Sequence, residues 1–244
     1  MSPATIKVFP DPEFATSAAL ALAEHLCACP PGHSRWIGLS GGETPRPVYT
    51  ALRNNLQANP LPWRTCTWFQ VDERCVPPQQ STSNQRLIRD TLFPTSDQQP
   101  WGTFFSIQHP ERIQPAADEY NSQLANLFSA SAFTRHTSLI LGVGADGHTA
   151  SLFPDTDWRS AVRNEWYTAI QVPHLNAWRL SLTLHALMQA DDLVFLVTGS
   201  AKQKILCAMC APQPDLSLPA VYLATRHASV TMLIDRSAAG ALQP

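Results

Sequence analysis

The chain has 244 residues, of which 44% are hydrophobic and 15% charged, and it carries a formal net charge of -2. That balance excludes a disordered or low-complexity segment, and it provides no overall basic field for sequence-independent nucleic-acid binding. It suits one enzyme-like domain spanning residues 1–244.

In chain order, β-rich and helical patterns alternate. TIKVF (5–9) reads as a strand and PEFATSAALALAEHLCA (12–28) as a helix; RWIGL (35–39) is followed by PRPVYTALRNNL (45–56), and CTWFQV (66–71) by STSNQRLIRDTLF (81–93). TFFSI (103–107) precedes a helix around PAADEYNSQLANLFS (115–129), then comes the strand TSLILG (137–142), and DDLVFLVTG (191–199) leads into AKQKILCAMCA (201–211). Such order predicts an α/β fold, a three-layer sandwich whose largely parallel sheet carries helices on both faces. YTAIQV, WRLSLTL and ASVTMLID add further strands, some of them candidates for antiparallel pairing.

The start, MSPATIKVFPDPEF, has no basic region followed by an apolar run, and no window reaches eighteen apolar residues. The expectation is a cytoplasmic protein with no membrane partner. The six cysteines are Cys27, Cys29, Cys66, Cys75, Cys207 and Cys210. The pairs at 27/29 and 207/210 fall in alanine-rich helical stretches, and no Cys/His pair at ligand spacing completes either, so they read as buried free thiols and no metal site is expected.

In open parallel sheets ligands gather beyond the carboxyl ends of strands, and three loops there carry chemistry. Ser40-Gly41-Gly42-Glu43-Thr44-Pro45 joins a strand to a helix; its glycines, hydroxyls and helix-start N–H groups make either an anion site or a tight turn capped by Thr44. In VDERCVP, Arg74 is a candidate bidentate partner for a phosphate, while Asp72 and Glu73 can hold that arginine or meet sugar hydroxyls; Ser83 and Asn84 begin the next helix as caps or ligand contacts. In LGVGADGHTASLFP, Gly142, Gly144 and Gly147 let the chain turn sharply and clear space beside His148, the candidate proton acceptor, with Asp146 placed to orient its ring. The other seven histidines lack such a frame and read as surface or packing residues. Lys202 and Lys204 oppose the dipole at a helix start, and Arg179 opens a strand, so Arg74, Arg179 and Lys202 together suggest a local positive pocket in a slightly acidic protein.

SGGETP, VDERCVP with the following SN, and GVGADGHTASLFP, supported by RLSLT and TGSAKQK, resemble the 6-phosphogluconolactonase family within the wider glucosamine-6-phosphate isomerase/deaminase-like group. The resemblance spans Ser40 to Lys204 and implies a Rossmann-like, NagB/RpiA-like fold. It also implies hydrolysis of 6-phospho-D-glucono-1,5-lactone without metal or cofactor, the second step of the oxidative pentose phosphate pathway, by a monomer or weak homo-oligomer. By resemblance His148 is the general base and Asp146 its support; Arg74 and Lys202 bind the substrate phosphate; Gly41, Gly42 and Thr44 shape that pocket, and Ser40, Asp72, Asn84 and Arg179 are further substrate contacts. Direct attack by an acid side chain stays open beside general-base hydrolysis, as does Lys204 beside Lys202. Glu43 stands where family members commonly carry serine and would repel a phosphate unless it points away. The related deaminases read DGHIAFNEP where this chain has DGHTASLFP, so their carboxylate is replaced by Phe153. A non-catalytic sugar-phosphate sensor of the same fold is the other alternative.

Overall fold

The computed structural model describes residues 4–30, 32–130, 135–159 and 165–242. Its strands are β1 (Thr5–Phe9), β2 (Ser34–Leu39), β3 (Thr67–Gln70), β4 (Asp72–Arg74), β5 (Gln98–Gln99), β6 (Gly102–Phe105), β7 (Arg135–Gly142), β8 (Tyr167–Val172), β9 (Ala177–Leu182), β10 (Asp192–Val197) and β11 (Val230–Asp235). The helices are α1 (Phe14–Cys27), α2 (Pro45–Ala58), α3 (Asn84–Thr91), α4 (Ile113–Ala130), α5 (Leu184–Met188), α6 (Gln203–Met209), α7 (Pro219–Arg226) and α8 (Arg236–Ala239). The main sheet runs β1-β11-β10-β7-β2-β3-β6-β5, and every pairing in it is parallel except β5 with β6. A second, antiparallel sheet runs β4-β9-β8.

The apolar strands of the main sheet are buried on both faces because successive side chains point to opposite sides. Ile140, Val194, Leu196 and Leu233 face one cluster, completed by Leu22 of α1, Val48 and Leu52 of α2 and Ile88 of α3. Leu139, Leu141, Phe195, Met232 and Ile234 face the other, with Leu124 of α4, Ile205 of α6, Val221 of α7 and Leu180 of the second sheet. The result is the expected three-layer α/β architecture. β11 lies between β1 and β10 in the main sheet, whereas β8 and β9 form the antiparallel hairpin.

One departure shapes the site. Asp72–Arg74 is expected as a loop, but it is a strand. The Val71 N–H still bonds to the Leu39 carbonyl in the main sheet (3.0 Å), while its carbonyl accepts from Leu182 N (2.8 Å), so the chain changes sheets at Val71 and pairs with β9. Arg74 and Arg179 become cross-strand partners. The cysteines need a second correction. All six are free, but only Cys29 and Cys66 are buried; Cys75 and Cys207 are half-buried, and Cys27 and Cys210 are exposed. The two exposed thiols stand at the ends of α1 and α6, where packing against the sheet stops. Among the described residues no helix is long and apolar enough to cross a membrane.

At the amino end of the sheet, opposite the candidate site, Asp192 accepts from His136 Nε2 (2.6 Å) and Ser229 Oγ (2.7 Å), with His25 Nε2 at 3.5 Å. Burial pushes the Asp192 carboxyl up, but His25, Ser229 and His136 outweigh it and hold the group well below the usual carboxylate range. A depressed folded pKa stabilises above the unfolded value, about 3.9, and that contribution is lost as pH falls toward the folded value. Urea midpoints measured from about pH 5 down to about pH 3 are therefore expected to fall less steeply for Asp192→Asn than for the natural chain. Parallel curves would show that this carboxylate does not govern acid sensitivity.

Candidate active site

The chain runs outward from β2 to β3 and β6 on one side and from β7 to β10 and β11 on the other, so the β2/β7 junction is a topological switch point, where α/β sheets open a crevice at the carboxyl ends. Two adjoining hollows of about 290 and 490 Å³ lie there. Asp72, Arg74, Gly144, His148, Ala150 and Lys202 line both; Ser40, Gly41, Gly42, Thr44 and Asn84 line only the first, and Asp146 and Arg179 only the second. All eleven candidate residues thus meet in one cleft, although they come from six separate segments.

The loop after β7 is folded around its histidine. His148 Nδ1 lies 2.6 Å from Asp146 Oδ1, which also accepts from the His148 backbone N–H at 3.2 Å. The contact places the Nδ1 proton on the aspartate side and leaves Nε2 as the free ring edge. Phe153 packs against the imidazole with ring centroids 4.2 Å apart. Of the three glycines, only Gly147 has a positive φ (86°), so a torsional need at Gly142 and Gly144 is not found. Gly144 is needed for space instead: a Cβ there would lie 2.1 Å from His148 Nδ1 and 2.2 Å from Asp146 Oδ1. Gly144→Ala is expected to push the pair apart and lower kcat by at least about tenfold, part of the 10²–10⁴ that a positioned base supplies, with little change in melting temperature. Unchanged turnover would show that the pair's geometry is irrelevant.

The first loop is built for close approach. A Cβ at Gly41 would lie 1.8 Å from Asn84 Oδ1, so a side chain there would strike α3. Thr44 does not cap α2; its hydroxyl lies 2.8 Å from that of Thr198, tying the loop to the end of β10. Glu43 lines the first hollow, with its side chain 92% exposed and 3.7 Å from Arg46 Nε. Ser40 Oγ and Asn84 Oδ1 are buried in the cleft wall without a hydrogen-bond partner among the described residues. A buried polar atom left unpaired costs about 1–3 kcal/mol, so both suit contact with ligand hydroxyls.

Lys202, in the single 3-10 turn before α6, lines the cleft, whereas Lys204 is exposed, so geometry favours Lys202. Burial pulls the Lys202 ammonium down and the Asp146 charge partly restores it. Burial, then the charge of Arg74, likewise pulls Arg179 below the usual guanidinium range. Arg74, its cross-strand partner, is thus close enough to disfavour the Arg179 charge.

Comparison with known proteins agrees with this arrangement. The family model described as glucosamine-6-phosphate isomerases/6-phosphogluconolactonase matches residues 11–232. The chain belongs to this family. A relative from Synechocystis sp. named 6-phosphogluconolactonase is 34% identical over 216 residues, 85% of each chain. One of the same name from Rattus norvegicus is 30% identical, covering 98% of this chain and 93% of its own. The solved structure of 6-phosphogluconolactonase from Trypanosoma brucei is similar with a TM-score of 0.81 at 25% identity, covering 99% of both chains.

Within this member of the family, several contacts of the site follow from no sequence pattern. Glu73, fully buried, accepts five hydrogen bonds: Arg74 N and Asn84 N at 2.7 Å on Oε1, and Gln85 N (2.7 Å), Ser83 Oγ (3.0 Å) and Gln70 Nε2 (3.0 Å) on Oε2. Burial pushes its carboxyl up, and the Gln85, Asn84, Arg74 and Ser83 bonds partly reverse that. Ser83 also caps α3, its Oγ accepting from Arg86 N at 3.2 Å. Ser151 Oγ donates to Asp72 Oδ2 at 2.8 Å, leaving Oδ1 to the cleft. His174, read from sequence as a surface or packing residue, is exposed and lines the second hollow.

Proposed function

We propose that this chain hydrolyses 6-phospho-D-glucono-1,5-lactone to 6-phospho-D-gluconate, in the cytoplasm, within the oxidative pentose phosphate pathway. The observation that carries the reading is one cleft holding a His148–Asp146 pair at 2.6 Å together with the cations Arg74, Arg179 and Lys202. The names of the Synechocystis and rat relatives support it.

In this reading the phosphate sits among the cations and the sugar hydroxyls meet Asn84 Oδ1, Ser40 Oγ and Asp72. His148 Nε2 takes a proton from water as its oxygen attacks the lactone carbonyl carbon; Asp146 stabilises the imidazolium that forms. Collapse of the tetrahedral intermediate breaks the bond from that carbon to the ring oxygen, which receives the proton back from His148 and leaves as a hydroxyl. A deaminase would need a second acid beside the histidine, and the side chain packed there is Phe153.

Acid release from phosphorylated and unphosphorylated gluconolactone tests the proposal. Catalysis well above the spontaneous rate, with a preference for the phosphorylated substrate, is expected. A rate equal to spontaneous opening would leave the chain a sugar-phosphate sensor.

A further inference from the structure

His174, which lines the second hollow, is paired with Asp155, and the mechanism above does not use this pair. The β8–β9 hairpin turns through the 3-10 segment Pro173–Leu175 and Asn176, whose φ of 44° is left-handed, and this tight turn presents His174 at the mouth of the hollow. His174 Nδ1 lies 2.7 Å from Asp155 Oδ2, and its ring meets the edge of Phe153 with centroids 5.4 Å apart. Phe153 is also the ring that packs on His148. One imidazole nitrogen and one ring contact therefore fix the orientation, and among the described residues Nε2 has no partner.

Two features tell what this free edge meets. The same hairpin carries Arg179 five residues on, and Arg74, Arg179 and Lys202 line the same hollow as His174. The nearby acids are engaged: Asp72 with Ser151, Asp146 with His148, and Asp155 behind the His174 ring. With Asp155 accepting from Nδ1, Nε2 has a proton to donate when the ring is an imidazolium, the form that the Asp155 carboxylate on one side and a phosphate anion on the other both favour. We propose that His174, positioned by Asp155, is a fourth hydrogen-bond donor to the phosphate of the bound phosphosugar, and so a determinant of preference for phosphorylated substrate. The inference rests on the lactonase reading for its substrate, but the recognition it assigns is of the phosphate alone.

The test is a ratio, which is independent of how much enzyme is folded. His174→Ala is expected to reduce the preference for phosphorylated over unphosphorylated lactone, as a ratio of kcat/KM values, by about tenfold, mainly through KM. Asp155→Asn should shift the ratio in the same direction by less, because the ring stays but its anchor weakens. Calorimetric titration with 6-phosphogluconate and with gluconate makes the comparison without turnover: the phosphorylated sugar acid should lose affinity in His174→Ala relative to the unphosphorylated one. A natural chain that binds 6-phosphogluconate but hydrolyses no lactone would overturn the enzyme reading and leave His174 testable. A preference unchanged in both variants by both measurements would overturn the assignment of His174.

Discussion

Replacing His148 with alanine is expected to lower kcat for the phosphorylated lactone by about 10²–10⁴, the usual contribution of a positioned general base, while KM changes little. The side chain is about a third exposed and among the described residues its hydrogen bond is to Asp146, so its removal takes little from the fold and the loss falls on the chemical step. Asp146→Asn should lose less, because the asparagine still places a polar group beside Nδ1 while stabilising the imidazolium more weakly. Neither change removes a substrate-binding cation, since Arg74, Arg179 and Lys202 come from β4, β9 and the turn before α6, although Asp146→Asn takes away the charge that partly restores the Lys202 ammonium. A His148→Ala enzyme with full kcat and a raised KM would make the imidazole a binding group and move the proton acceptor elsewhere in the cleft. Asp72 would then be the next group to replace, since its Oδ1 faces the same space.

The pattern of success in reading the fold has a physical basis. β2, β3, β7 and β10 are apolar runs buried on both faces, and each delivers a loop to the same end of the sheet, so local sequence alone places Ser40, Arg74, His148 and Lys202 near one another. What stays hidden depends on contacts between distant segments. The pairing of Arg74 with Arg179 follows from a sheet change at Val71, which no periodicity announces. The Thr44–Thr198 contact joins residues 154 positions apart, so a hydroxyl that reads as a helix cap serves instead to tie two loops together. Gly144 is legible as a glycine but not for its reason: it is required by the bulk of the histidine–aspartate pair, not by its own torsions. His174 lacks a glycine frame and gains its neighbours only when the hairpin folds over the cleft.

Glu73 is the least legible of these residues and the one whose loss should be felt most widely. From sequence it reads as an acid that holds the Arg74 side chain or meets sugar hydroxyls, yet its carboxylate is fully buried and gathers the N–H of Arg74 and the first turn of α3. Glu73→Gln keeps the volume but turns one acceptor oxygen into a donor. If the amide faces the Oε1 side, Arg74 N and Asn84 N lose their acceptor; if it faces the other side, Gln85 N, Ser83 and Gln70 do. Each buried donor left unpaired costs about 1–3 kcal/mol, so a stability loss of about 3 kcal/mol or more is expected in urea unfolding. The functional consequence should be separate. With strand β4 and the start of α3 no longer tied together, Arg74 and Asn84 shift relative to the first loop, and KM for the phosphorylated lactone should rise by about tenfold or more while kcat falls less. A double-mutant cycle isolates this positioning effect. In an Arg74→Ala background, Glu73→Gln should cost far less in KM, because the guanidinium it places is already gone. Fully additive losses would mean that Glu73 supports the fold without aiming Arg74. Coupling between the two would show a buried acid placing a cation it never touches through its side chain, by holding that residue's backbone.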